Sequence, residues 1–146
     1  MLLSELKEQS FDVIPKMIKN ASEKLKTNFE RGDCGTFAIA LRKTIKKGDY
    51  VIIYSDDIDP EKFIHVLLKV DGKLYDGSTT DISKIKTEQW WKKKFSGYDD
   101  SYETDIKAEI LNLGYDDNIE KAILKNTDAD SPYSFSVKKI MNALKI

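Results

Sequence analysis

The chain has 146 residues, of which 40% are apolar and 34% charged, with 24 basic against 25 acidic side chains and a formal net charge of −1. That is enough chain for one domain around a single core, and the near-neutral balance lacks the basic excess that nucleic-acid binders carry. Met1-Leu2-Leu3-Ser4-Glu5 has no long apolar run, so neither a signal peptide nor a membrane span is expected. One cysteine cannot close an internal disulfide, which points to a reducing compartment, the cytoplasm.

In chain order, Phe11, Ile14, Ile18, Ala21 and Leu25 fall near one face of a helix over residues 11–29. A second helix is predicted over Cys34–Lys46: Cys34, Phe37, Ala38, Leu41 and Ile45 keep helical spacing, Asp33 stands at the N-cap position, and Gly48-Asp49 ends it. Tyr50-Val51-Ile52-Ile53-Tyr54 reads as a core strand, bounded by Ser55-Asp56-Asp57, with Asp59-Pro60 marking a further turn. Phe63–Val70 reads as a strand apolar on both faces. Asp71-Gly72 is a two-residue hairpin signal, and Lys73–Gly77 is the return strand. Helices are then predicted over residues 87–95, about 103–112, 116–126 and 136–145, with Pro132 ahead of the last. No repeat, low-complexity tract or linker divides the chain. The expectation is a single α+β domain over residues 1–146: a small antiparallel sheet packed against a cysteine-bearing N-terminal helix, with additional helices toward the C-terminus.

Cys34 is the only cysteine and His65 the only histidine. At the first position of its helix, Cys34 meets free backbone N–H groups and the positive end of the helix dipole, which stabilise a thiolate, the form that attacks carbonyls. Gly35 beside it leaves room for a substrate. With the turn at Asp71-Gly72, Leu67 is opposite Asp76, and period-two alternation puts Asp76 on the face of His65 as its diagonal neighbour. A carboxylate there reaches an imidazole N–H and fixes its tautomer. Each residue also has a plain structural role open to it: a buried thiol, a satisfied core histidine, a turn aspartate.

Asp-Cys-Gly-Thr-Phe-Ala (33–38), His-Val-Leu-Leu-Lys-Val (65–70), Asp-Gly (71–72) and Leu-Tyr-Asp-Gly (74–77) together resemble the core of the papain-like cysteine peptidase superfamily, above all its small transglutaminase-like and phage-type members. The likeness spans about residues 28–80. It implies a cysteine hydrolase or acyltransferase with Cys34 as nucleophile, His65 as general base, Asp76 as orienting group and Asn28 as oxyanion donor. The chain departs from the family pattern in three places: Val66 rather than an aromatic residue follows His65, Asn28 replaces the more usual glutamine, and Gly35 rather than an aromatic residue follows Cys34. A second reading is a papain-like module that no longer catalyses and instead binds a host or cellular protein, such as a small phage or mobile-element protein would.

Trp90-Trp91 before Lys92-Lys93-Lys94 suits either the lining of a substrate groove or an amphipathic helix with one buried tryptophan and a solvated lysine face. Zinc is not expected with one cysteine and one histidine, and no acidic cluster has the calcium-loop spacing. There is no phosphate-cradling glycine loop or dinucleotide fingerprint, so no metal and no cofactor are expected. Ser78 lacks the setting of a serine nucleophile. The implied partners are a protein, peptide or amide substrate, with no nucleic acid and no membrane.

Overall fold

The computed structural model describes residues 3–29, 33–58, 63–126 and 135–145. Helix α1 (Leu3–Leu25) and helix α2 (Cys34–Ile45) lead into strand β1 (Asp49–Tyr54) and the hairpin of β2 (His65–Val70) and β3 (Lys73–Tyr75). A 3-10 turn (Ile82–Lys84), α3 (Glu88–Phe95), β4 (Gly97–Asp99), β5 (Thr104–Ile106), β6 (Glu109–Gly114), α4 (Asp117–Lys125) and α5 (Val137–Leu144) follow. The main sheet runs β3-β2-β1-β6 with every pairing antiparallel, and β4 with β5 makes a separate two-stranded ribbon. The molecule is an α+β fold, as the sequence predicts.

Two layers cover the sheet, so β1 and β2 are apolar on both faces. Tyr50, Ile52, Val66, Leu68 and Val70 point into the larger core, which also holds Ile18, Phe37, Leu41 and Ile140 from α1, α2 and α5. Val51, Ile53, Leu67 and Leu74 point the other way and pack against Trp91 of α3 and Ala108. At about 1.5–3 kcal/mol for each large side chain fully removed from water, the two faces hold β2 firmly in register. Helix α2 is the central helix. Residues Gly35 to Leu41 are all buried, and Lys46 closes the helix in a left-handed conformation (φ 62°), its N–H donating to Arg42 O.

Three expectations need correction. Residues 103–112 are not a helix: Thr104–Ile106 and Glu109–Gly114 are strands, the second completing the main sheet beside β1. Ile106, Ile110 and Leu113 do fall at helical spacing, but Ile110 packs with the smaller core and Leu113 with the larger, on opposite sides of β6. The first helix extends back to Leu3 and stops at Leu25, with Lys26 at φ 52°, so Asn28 lies beyond it. Asp33 stands at the N-cap of α2, but its side chain makes no capping bond; Oδ1 accepts the Phe135 amide at 3.4 Å. The Asp59-Pro60 turn and Pro132 lie outside the described residues.

Candidate active site

The hairpin sets the geometry. Asp71 and Gly72 both take positive φ, 50° and 80°, as the tight turn of a two-residue hairpin requires. The resulting register pairs Val70 with Lys73, Lys69 with Leu74 and Leu68 with Tyr75. The ladder ends there, and the next residue, Asp76, falls on the face of His65. His65 Nε2 lies 2.8 Å from Asp76 Oδ2, and both side chains are buried.

Asp76 is held from both sides. Its Oδ1 accepts the Ser78 amide at 2.9 Å, the Ser78 hydroxyl at 2.5 Å and the Thr79 hydroxyl at 3.3 Å. The Asp76 amide in turn donates to Thr79 Oγ1 at 3.1 Å. Ser78 and Thr79 therefore fix the carboxylate, a role that sequence reasoning missed although Asp-Gly-Ser-Thr has the composition of a side-chain-bonded turn. Gly77 is needed for the close approach of the segment after α1. A Cβ there would run into the Asn28 carbonyl oxygen and come within 2.7 Å of Phe29 Cβ.

Cys34, partly exposed at the head of α2, is close enough to His65 for its sulfur to act on the titration of the ring. Since Nε2 is taken by Asp76, Nδ1 is the ring nitrogen left for the thiol. Burial disfavours the charged imidazole, but the bonds and charges of Asp76 and Cys34 outweigh it and hold the His65 pKa at about 9 against an ordinary 6.5. Burial likewise disfavours the Asp76 carboxylate, yet the bonds from His65 and Ser78 prevail and keep it below the usual carboxylate range. Both shifts favour an imidazolium–carboxylate pair.

Helix α3 covers the imidazole. Trp91, 1% exposed, stacks on His65 with ring centroids 5.5 Å apart and planes 22° apart, and Phe95 stands 5.1 Å from the same ring. Trp91 thus faces the imidazole rather than solvent. Its neighbour Trp90 is 40% exposed, with Lys86 and Lys94 each 5.4 Å from its ring. Gly35, next to Cys34, is buried as the second residue of α2. Asn28 is exposed, and its backbone lies against Gly77, beside Asp76.

Among the described residues, no three histidine, cysteine, aspartate or glutamate side chains gather closely enough to hold a metal ion, and no helix is long and apolar enough to cross a membrane. No protein-family model, curated protein or solved structure matches the chain.

Proposed function

We propose that this protein is a cysteine-nucleophile hydrolase, a peptidase or amidase, or an acyltransferase, acting on a protein, peptide or amide substrate in the papain-like manner. The observation that supports this reading best is the buried pair of the single imidazole with an anchored carboxylate, set close enough to the single thiol for the sulfur to act on the ring's titration. The Cys34 thiolate attacks the carbonyl carbon, forming the S–C bond and pushing an electron pair onto the oxygen. The Cys34 backbone N–H and the Asn28 side-chain amide are the proposed donors to that oxyanion. Imidazolium Nδ1 then gives its proton to the leaving amine, the C–N bond breaks, and an acyl-enzyme remains. Neutral His65 next takes a proton from water, giving hydrolysis, or from an amine, giving transfer. Asp76 orients the ring and stabilises its cation throughout.

Trp91 and Phe95 keep bulk water from the imidazole face, Gly35 gives the acyl group clearance, and exposed Trp90 is the tryptophan available to a substrate. A reducing compartment, the cytoplasm, belongs to this reading because the chemistry needs a free thiol. The test is iodoacetamide labelling of the native protein at neutral pH, followed by mass spectrometry. Cys34 should take up one carbamidomethyl group roughly tenfold faster than glutathione does, and His65→Ala should abolish that advantage. Labelling only in denaturant, or at the same rate in His65→Ala, would favour the noncatalytic module that binds a protein partner.

A further inference from the structure

We propose that a cavity beside His65 receives an aromatic side chain of the substrate, next to the bond that Cys34 attacks; this rests on the reading of Cys34 as the nucleophile. The cavity measures about 410 Å³ and lies among the segment ahead of β2, the end of α3 and the β4–β5 ribbon. That volume falls within the range of small-molecule sites. Its walls include Phe63, Ile64, Phe95, Tyr98, Tyr102 and Lys94.

Two of these walls adjoin the base directly. Ile64 precedes His65 in the chain and is pinned by the hydrogen bond its N–H donates to Ile53 O at 2.7 Å, while the Phe95 ring stands 5.1 Å from the imidazole. A group seated here is therefore one ring away from the residue that hands a proton to the leaving group.

The chemistry of the lining selects the occupant. Among the described lining residues, four aromatic side chains, Phe63, Phe95, Tyr98 and Tyr102, offer faces and edges to another ring. Phe95 is itself backed by Trp91, the two planes only 10° apart. Among the described lining residues the charged groups are one cation, Lys94, and one anion, Asp99, whose Oδ1 already accepts the Ser101 amide at 2.8 Å. These two described charges balance, and the four aromatic side chains are a larger share of the described lining. Tyr98 and Tyr102 are 64% and 57% exposed, forming an amphipathic rim that tolerates water when empty and packs when filled.

The experiment compares two alkylating probes with the same electrophile, iodoacetamide and N-benzyliodoacetamide. In each, the Cys34 sulfur bonds to the methylene carbon as iodide leaves. Each rate on the full-length protein is divided by the rate of the same reagent with glutathione. The benzyl reagent should be favoured by about tenfold or more, a preference that a filled apolar pocket readily supplies. In Tyr98→Ala/Tyr102→Ala, and partly in Tyr102→Ala alone, the ratio should fall toward one, with melting temperature reporting that the fold is retained. Equal normalised rates in the wild-type protein, or a preference that survives the double substitution, would overturn the assignment while leaving Cys34 as a nucleophile. Native protein that neither reagent labels would instead refute the nucleophile, and the cavity would have no reaction to serve.

Discussion

Replacing Asp76 with asparagine should change the titration of His65 more than any other property of the folded protein. The imidazole is held at about 9 rather than 6.5, a difference worth about 3 kcal/mol in favour of its charged form. Burial opposes that charge, so the favourable share from Asp76 and Cys34 exceeds the net. An opposite charge in contact shifts a pKa by roughly 1–3 units, and asparagine keeps the shape of aspartate while removing its charge. In Asp76→Asn the His65 pKa should therefore fall by about that amount, leaving Cys34 alone to oppose the burial. Because His65 is the only histidine, its ring Cε1–H signal in proton–carbon NMR needs no assignment and can be followed from acid to alkaline pH. A wild-type ring that titrates at its ordinary value would refute the reasoning. So would a variant that titrates where the wild type does.

Stability should depend on pH through the same pair. His65 has its pKa raised, so its contribution is fully present below 6.5 and disappears as pH rises through about 9. Asp76 has its pKa lowered from 3.8, so its contribution holds above that value and disappears as pH falls through the lower folded value. Urea unfolding between pH 6.5 and 9 should show this loss in the wild-type protein and a flatter profile in His65→Ala. Gly77→Ala should lower stability by roughly 1–3 kcal/mol, read as a lower melting temperature, because the added carbon meets the backbone carbonyl of Asn28 and the buried Phe29 side chain rather than a flexible side-chain end. An unchanged melting temperature would mean that the segment after α1 moves aside freely. For the reaction, Asp76→Asn should slow Cys34 alkylation less than Asp76→Ala does, since asparagine still accepts the ring N–H and orients it. If Asp76→Ala melts early yet reacts normally per folded molecule, Asp76 is only a turn residue.

The parts of the site that local chemistry dictates could be read from the sequence. Asp-Gly between two apolar runs sets a hairpin with both turn residues at positive φ, and period-two alternation then places Asp76 beside His65. The start of α2 at Cys34 likewise follows from helical spacing. What could not be read depends on partners distant in sequence. Strand β6 has one apolar side chain on each face and Leu111 46% exposed, so it never alternates, and Ile106, Ile110 and Leu113 imitate a helix. Trp91 stacks on His65 only because α3 returns across the sheet, and nothing around Trp90-Trp91 says which ring faces inward. Asp33 has the composition of a cap, but Phe135, far along the chain, supplies its amide partner.

The most direct test of the account is whether Cys34 becomes acylated. p-Nitrophenyl acetate is a suitable probe: sulfur attack forms a thioester, the acyl C–O bond breaks, and p-nitrophenolate is released. The account predicts a burst of p-nitrophenolate close to one per chain. It also predicts one acetyl group on Cys34 by peptide mass spectrometry, no burst in Cys34→Ala and a much slower one in His65→Ala. Absence of a burst in native wild-type protein, or acetyl groups found on lysines and not on Cys34, would contradict it.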